Sequence, residues 1–317
     1  MKLAGSFFRL VRWPNLVFIM LAQGLFYYSV ITPALPGTYY SGGKKLDFNI
    51  FILLVMASVL IAAAGYIIND YFDINIDRVN KPGKMVVEKT IRRRWAIILH
   101  ILFTAAGLAL SLYVSLKTTH IIFFANAACA LLLWVYSTTF KKKLLSGNII
   151  ISALTAWVII VLYFAVNTTY LNTLSQPPEI ITAMNKIFKF GALYAGFAFI
   201  ISLVREVVKD IEDMEGDEKY GCKTMPIVWG VPASKVFVGV WISVLIGAIS
   251  IIVIYMLQKG WWLCAAYCLL LLVVPLIRAL RQFYKAQNSR EYHAISTKVK
   301  LIMFAGILSM LLLKIYL

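Results

Sequence analysis

The chain has 317 residues, of which 61% are hydrophobic and only 14% are charged. Soluble globular domains typically carry about 45–50% apolar and about 25% charged residues. With a mean hydropathy of +0.82, the composition excludes a soluble enzyme, a disordered protein and a disulfide-stapled secreted domain. It leaves a membrane protein that crosses the bilayer several times, because about 20 apolar residues span the hydrocarbon core.

Nine apolar segments of spanning length follow one another along the chain. The weakest boundary is Lys117-Thr118-Thr119-His120, between the third and fourth segments. Since no polar stretch is long enough for a separate soluble domain, we expect one all-helical membrane domain over residues 1–317. The predicted spans are about 15–34, 49–68, 95–116, 119–138, 147–167, 188–208, 232–257, 261–280 and 297–317.

Basic residues are distributed unequally between the two sides of this arrangement. The net charge is +17, and 24 of the 31 lysines and arginines fall on the side of the N-terminus and of loops 69–94, 139–146, 205–235 and 278–300. We expect the protein in the cell membrane. The positive-inside rule places the basic side in the cytoplasm and Leu317 outside the cell. Because this rule accounts for the positive net charge, nucleic-acid binding is not needed to explain it. The sequence has neither a zinc-ligand spacing nor an aromatic-rich basic stretch that would support nucleic-acid binding.

Ten of the 14 acidic residues lie in two clusters, each directly after an apolar span on the predicted cytoplasmic side. Both clusters contain three aspartates separated by three and then four residues, a spacing that places side chains on one face of a helix. These aspartates are Asp70, Asp73 and Asp77 in the first cluster and Asp210, Asp213 and Asp217 in the second. Asn69, four residues before Asp73, adds a further oxygen to the first column.

Carboxylates stacked on one helix face repel one another, and a charge within a bilayer is costly. Divalent cations relieve both problems, and Mg²⁺ completes a carboxylate shell with water and substrate phosphates. The two acidic columns therefore predict Mg²⁺ sites that bind a diphosphate. The alternative is a pair of solvated loop faces, salt-bridged to nearby lysines and arginines.

The two acidic segments resemble the aspartate motifs of the UbiA superfamily of intramembrane prenyltransferases. Asn69-Asp70-x-x-Asp73-x-x-x-Asp77 is similar to the first motif, and Asp213-x-x-x-Asp217 is similar to the second. The similarity covers essentially the whole chain. It extends to Arg12-Trp13-Pro14-Asn15, Tyr136-Ser137 with Lys141, Gly147-Asn148 and Gly221-Cys222-Lys223-Thr224.

This resemblance implies nine transmembrane helices around a central cavity, capped by cytosolic loops, and transfer of a polyprenyl group from its diphosphate to a lipophilic acceptor. It implies two Mg²⁺ ions bound by Asn69, Asp70, Asp73, Asp77, Asp210, Asp213 and Asp217. The catalytic residues it implies are Asp73, Asp77, Asp213, Asp217 and Lys141. The substrate-binding residues it implies are Arg12, Asn15, Arg78, Tyr136, Arg205, Lys209 and Lys223. Cations among them are suited to stabilise charge on a departing diphosphate.

Within the superfamily, residues 205–217 are most similar to the branch that contains digeranylgeranylglyceryl phosphate synthases and chlorophyll- and tocopherol-type enzymes. One departure is Lys84-Met85, where that branch usually has Arg-Pro. The branch implies a geranylgeranyl donor and, as acceptor, the hydroxyl of a prenylated glycerol phosphate, which gives an ether. Basic residues after the first motif provide charge for an acceptor phosphate, although positive-inside anchoring explains the triplet Arg92-Arg93-Arg94 equally well.

Three other functions remain open at this stage. Prenylation of an aromatic acceptor is the nearest alternative, since other members of the superfamily act in quinone, tocopherol or chlorophyll pathways. A transporter would carry ionisable groups at mid-span, whereas here the acids lie at one end of the spans. A lipid phosphatase or phosphotransferase accounts less well for paired aspartate columns beside an apolar interior.

The charge distribution generates a topology prediction. Single cysteines at Gly83 and Glu215 should react only with reagents that enter the cytoplasm, and one at Gly42 should react from outside. The measurement is labelling of intact cells with membrane-permeant and impermeant thiol reagents. Labelling of the Gly83 position from outside would contradict both the orientation and the nine-span count.

Overall fold

The computed structural model describes residues 2–35, 46–80, 83, 85–171 and 178–316. The predicted all-helical membrane fold is confirmed: within these ranges, nine helices are long and apolar enough to cross a bilayer. They are α1 (Trp13–Ala34), α2 (Phe48–Phe72), α3 (Arg93–Lys117), α4 (His120–Thr138), α5 (Ser146–Leu171), α6 (Pro178–Glu212), α7 (Gly230–Gln258), α8 (Trp262–Lys285) and α9 (Ser289–Leu313). Predictions made for Gly42, Lys84 and Leu317 fall outside the described residues.

Short polar signals define several helix ends. The Asp47 carboxylate accepts a hydrogen bond from the backbone N–H of Asn49 at the start of α2, at 2.9 Å. Thr119 accepts one from Ile121 at the start of α4, which separates this helix from α3 at the weakest predicted boundary. Between such caps, the apolar segments satisfy their backbone hydrogen bonds internally, as a hydrocarbon environment requires.

Helix α6 is longer than the span predicted for it. It has 35 residues, Pro178–Glu212, whereas the predicted span covers only residues 188–208. At 1.5 Å per residue it is about 52 Å long, well beyond the ~30 Å hydrocarbon core. The end of α6 that carries the second acidic cluster is therefore regular helix that extends past the apolar span. Helix α9 likewise begins before the predicted residue 297, because Asn288 caps it.

The chain divides into two compact units, each with its own apolar core. The first comprises Met1–Gly24, Ala34–Lys141 and Trp157–Ala192, and its core includes Leu10, Ala63, Ile67, Ile74, Val87 and Ala96. The second comprises Leu25–Pro33, Lys142–Ala156 and Leu193–Leu317, and its core includes Val204, Val208, Met225, Leu276, Phe283 and Val299. The single domain predicted over residues 1–317 stays a prediction.

In the first unit, α2 and α3 are closely packed where Gly107 faces α2. A methyl group at this position would lie 2.8 Å from Cγ1 of Ile61 and 3.3 Å from the backbone oxygen of Ala57. A polar network adds to the packing of α3, α4 and α5: Asn126 donates to Ser111 at 2.9 Å and accepts from Trp157 at 3.0 Å. Small residues and interhelical hydrogen bonds of this kind hold membrane helices together.

In the second unit, polar contacts fix the helix ends beside the second acidic cluster. Ser289, the first residue of α9, donates to the backbone oxygen of Glu212 at 3.0 Å. The ring of His293 lies 2.7 Å from the carboxylate of the same glutamate. At the end of α8, Lys235 donates to the backbone carbonyl groups of Tyr284 and Ala286. The end of α6, one residue before Asp213, is therefore anchored to α9.

The close contact at Gly107 predicts a position-specific effect on stability. Gly107→Ala should lower the thermal unfolding temperature in detergent micelles, because overpacking against a backbone typically costs about 1–3 kcal/mol. Gly24→Ala is the matched control, since nothing lies within 4 Å of the added methyl group. It should leave stability unchanged or raise it by about 1 kcal/mol through helix propensity. Equal unfolding temperatures for the two variants would contradict the packing described here.

Candidate active site

The first aspartate motif lies at a break between two helices. α2 ends at Phe72, Asp73 follows as its C-cap, and a short helix runs over Ile74–Asn80. Helical hydrogen bonds continue across the break, from the N–H of Asp73 to Asn69 O at 3.0 Å and from the N–H of Asp77 to Asp73 O at 2.8 Å. The four-residue register that the sequence indicates is therefore retained through the break.

Asn69 combines a strong hydrogen bond with an unused oxygen. Its amide nitrogen donates to Oδ2 of Asp73 at 2.6 Å, and both side chains are buried. The Oδ1 atom of Asn69 is buried without a hydrogen-bond partner. A buried carbonyl oxygen that lacks a donor is costly, and a hard cation is one of the few groups that would satisfy it.

Arg12 pairs with Asp70 from a strained backbone position. Its Nη2 donates to Oδ1 of Asp70 at 2.8 Å, and its guanidinium lies 5.1 Å from the ring centre of Tyr66. Burial disfavours the charged guanidinium, but the charge and hydrogen bond of Asp70 outweigh burial and raise the pKa of Arg12. Its φ of 52° is in the left-handed region, so the turn before α1 places this side chain at a conformational cost.

Lys141 is the second cation of this group. It follows α4 in a short 3-10 turn, Phe140–Lys142, and its Nζ contacts Oδ2 of Asp73. Asp70 and Asp77 line one cleft together with Ile74 and the segment Met85–Val87. The first unit therefore brings together Arg12, Asn69, Asp70, Asp73, Asp77 and Lys141.

The second motif repeats the local geometry of the first. α6 ends at Glu212, Asp213 occupies the break, and a short helix runs over Met214–Lys219. The N–H of Asp213 bonds to Lys209 O at 2.8 Å, and that of Asp217 bonds to Asp213 O at 3.2 Å. In both motifs the middle aspartate therefore sits where a long helix gives way to a short one.

Asp210 and the cations before it have partners of their own. Asn148, in the first turn of α5, donates to Oδ2 of Asp210 at 2.7 Å. Glu206 accepts from Arg205 at 3.0 Å and from Lys209 at 3.1 Å, so one carboxylate orients both predicted substrate-binding cations. The Nε atom of Arg205 is buried and has no hydrogen-bond partner.

Lys223 lies in a turn that is fixed by its backbone. Its N–H donates to Lys142 O at 2.8 Å, and the N–H of Cys222 donates to Asp217 O at 2.9 Å. Gly221 has a φ of +71°, a conformation that glycine adopts without strain. The Lys223 side chain is exposed, so it can reach a ligand without breaking any of these backbone bonds.

The remaining predicted residues have separate surroundings. Asn15 and Tyr136 are half-buried, in the first turn of α1 and the last turns of α4. Arg78 is exposed and pairs with Glu88, not with the aspartate beside it. Sequence reasoning missed the pairing roles of Glu88 and Glu206. The sequence could have indicated the pairing role of Glu88, because Glu88 is the only acidic residue between Asp77 and Glu179.

The oxygen donors suit Mg²⁺. Among the described residues, no three His, Cys, Asp or Glu side chains converge closely enough to hold a metal ion by themselves. Mg²⁺ does not require such a cage, since it is commonly bound by one or two carboxylates with water and substrate phosphates. An all-oxygen set that includes the unpartnered Asn69 Oδ1 therefore fits this ion.

Comparisons with known proteins identify the family of this chain. Residues 30–307 match the UbiA prenyltransferase family. A protein of Thermococcus gammatolerans named digeranylgeranylglyceryl phosphate synthase is 30% identical over 276 residues, which are 87% of this chain and 90% of that protein. A protein of Haloquadratum walsbyi with the same name is 33% identical over 217 residues, 67% and 68% of the two chains.

Two solved structures share the fold. One, from a study of digeranylgeranylglyceryl phosphate synthase in membranes, has a TM-score of 0.61 and 24% identity over the whole of both chains. A UbiA homolog of Archaeoglobus fulgidus, bound to DMAPP and Mg²⁺, has a TM-score of 0.62 and 17% identity over 98% and 100% of the chains. The family match includes both aspartate motifs and most of the chain. This protein therefore belongs to the UbiA prenyltransferase family and is a membrane-embedded prenyltransferase.

Proposed function

We propose that this enzyme transfers a geranylgeranyl group from its diphosphate to the free hydroxyl of a prenylated glycerol phosphate, which forms an ether lipid. The observation that carries the proposal is the first aspartate group, in which oxygen donors and two cations meet at the end of an apolar helix. Such a group suits a ligand with an anionic head and an apolar tail. The names of the relatives from Thermococcus gammatolerans and Haloquadratum walsbyi support this choice of acceptor.

The proposal includes two Mg²⁺ ions, one at each aspartate motif. The first is assigned to Asn69, Asp70, Asp73 and Asp77, and the second to Asp210, Asp213 and Asp217. Bound Mg²⁺ would stabilise the negative charge that develops on the diphosphate as the allylic carbon–oxygen bond breaks. The Mg²⁺ and DMAPP bound to the Archaeoglobus fulgidus homolog support a divalent metal and a prenyl diphosphate here.

The protein's own cations and hydrogen-bond donors bind the diphosphate in this proposal. Lys141 and Arg12 already contact acidic residues of the first motif, so each can share its charge with a neighbouring phosphate oxygen. We assign the same task to Tyr136, Arg205, Lys209 and Lys223, and we assign Asn15 and Arg78 to substrate binding. The apolar helices around these groups protect the reactive allylic cation from water.

A second class of acceptor is compatible with the same prenyl donor. An aromatic ring, as in quinone, tocopherol or chlorophyll pathways, is the second candidate, because the same donor chemistry serves a ring carbon. The family match decides against a transporter.

We further propose that the N-terminus and both aspartate motifs face the cytoplasm, which the excess of basic residues on that side supports.

The metal assignment predicts that both motifs are required. Asp73→Ala and Asp213→Ala should each abolish prenyl transfer by the purified enzyme, since each removes an oxygen ligand from a different motif. Glu218→Ala, at an exposed acid, is the matched control and should retain activity. Chelation should inhibit the wild type and added Mg²⁺ should restore it. Substantial transfer by either folded aspartate variant would contradict the two-motif assignment.

The acceptor is tested by competition. Geranylgeranylglyceryl phosphate is mixed with 4-hydroxybenzoate, a dihydroxynaphthoate and homogentisate in the presence of one labelled geranylgeranyl diphosphate. We expect an ether product from the glycerol phosphate, because cations near the first motif favour a phosphate-bearing acceptor. Products are separated by chromatography of the lipid extract. Transfer to a ring without any ether would refute the lipid acceptor and leave the prenyltransferase activity intact.

A further inference from the structure

Glu88 lies between two arginines that belong to different helices. Its Oε2 is 2.5 Å from Nη2 of Arg78, in the short helix Ile74–Asn80, and its Oε1 is 2.5 Å from Nη2 of Arg93, the first residue of α3. Each oxygen therefore accepts from a different guanidinium. The two arginine side chains are half exposed, at 55% and 51%, so a dissolved or membrane-bound anion can reach them.

The backbone of Glu88 adopts a conformation that glutamate rarely takes. Its φ is 73°, within a tight turn in which its N–H donates to Ile91 O at 2.9 Å. Among the described residues, Arg12 is the only other non-glycine residue with a positive φ, and Arg12 contacts the first aspartate motif. Strain of this kind persists where the surroundings impose it and is concentrated at functional sites.

The charge around Glu88 is strongly unbalanced. Between residues 78 and 94 there is one acidic residue, and the basic residues are Arg78, Lys81, Lys84, Lys89, Arg92, Arg93 and Arg94. The hydrogen bond from Arg78 and the charges of both arginines lower the pKa of Glu88, so its carboxylate is an anion at neutral pH. The Glu88 carboxylate is the one anionic side chain of this segment, and it lies between two guanidinium groups as a bound anionic ligand would.

The arginine pair is next to the predicted reaction site. Arg78 directly follows Asp77, which lines a cleft with Asp70. The segment Met85–Val87, immediately before Glu88, lines the same cleft. In a glycerol monophosphate with one free hydroxyl, the phosphate and that hydroxyl are at most a few bonds apart. If the hydroxyl is to attack the allylic carbon of a prenyl diphosphate bound at the first motif, the phosphate of the acceptor needs cations close to this motif.

We infer that Arg78 and Arg93 form the binding site for the phosphate group of the acceptor, and that the Glu88 carboxylate occupies this site until the phosphate displaces it. Guanidinium groups bind phosphate through paired, charge-assisted hydrogen bonds, which suits two arginines that already share one anion. Displacement would also free the turn at Glu88 from the contacts that impose its backbone conformation. The inference rests on the proposed function, because it presumes a phosphate-bearing acceptor.

The test compares neighbouring arginines with the same charge. Arg93→Gln should raise the KM for geranylgeranylglyceryl phosphate roughly tenfold or more, as expected for one lost charge-assisted hydrogen bond, and leave the KM for geranylgeranyl diphosphate unchanged. Arg94→Gln, an exposed neighbour, should change neither value by more than about twofold. Glu88→Gln should lower the acceptor KM, because it weakens the competing anion. Thermal unfolding in detergent confirms that each variant is folded.

Direct binding of geranylgeranylglyceryl phosphate without donor separates this inference from the proposed function. If the wild type binds this lipid and Arg93→Gln but not Arg94→Gln weakens binding, the site stands even if no ether forms. If the wild type forms the ether normally while Arg93→Gln and Arg94→Gln have the same KM for the acceptor, the phosphate site is assigned wrongly and the proposed function stands. A rise in the donor KM of Arg93→Gln, an unchanged or raised acceptor KM of Glu88→Gln, or no binding by the wild type would also overturn the inference.

Discussion

Buried carboxylates at the end of an apolar helix are stabilised by positive charge beside them, and the first unit is organised around that interaction. The helix α2 is apolar almost to its end and then presents Asp70 and Asp73. Arg12 reaches the first from 58 residues away, and Lys141 reaches the second from 68 residues away. These two ion pairs draw the turn before α1 and the turn after α4 to the same place. The proposed site for a diphosphate and its metal would meet the same need for charge balance.

The helix breaks within the two motifs show how one helix can hold several carboxylates. In each motif the middle aspartate ends a long helix, and a short helix continues with its first residues bonded across the break. The four-residue register is therefore kept while the axis is interrupted. The acids remain close enough to act together, and side-chain amides moderate their repulsion: Asn69 donates to Asp73, and Asn148 donates to Asp210. Because an amide carries no net charge, it can hold a carboxylate in place and competes only weakly with a cation for that carboxylate.

Two strained residues belong to the same unit and have the same kind of role. Arg12 and Glu88 both have left-handed backbones, and both side chains form ion pairs near the first motif. In contrast, Gly221 and Gly230 adopt positive φ values at turns of the second unit without cost. A glycine would relieve the backbone at positions 12 and 88 but would remove the charge.

The sequence by itself determined the membrane class, the nine spans, the two acidic motifs and the family. These features depend on composition and on spacings of three and four residues, which local helix geometry converts directly into structure. Only the tertiary structure decided which cations meet which acids. It pairs Lys141 with Asp73 and Arg93 with Glu88. The partners are far apart in sequence or chemically identical to their neighbours, so their choice depends on how the helices pack and turn, which no local pattern records.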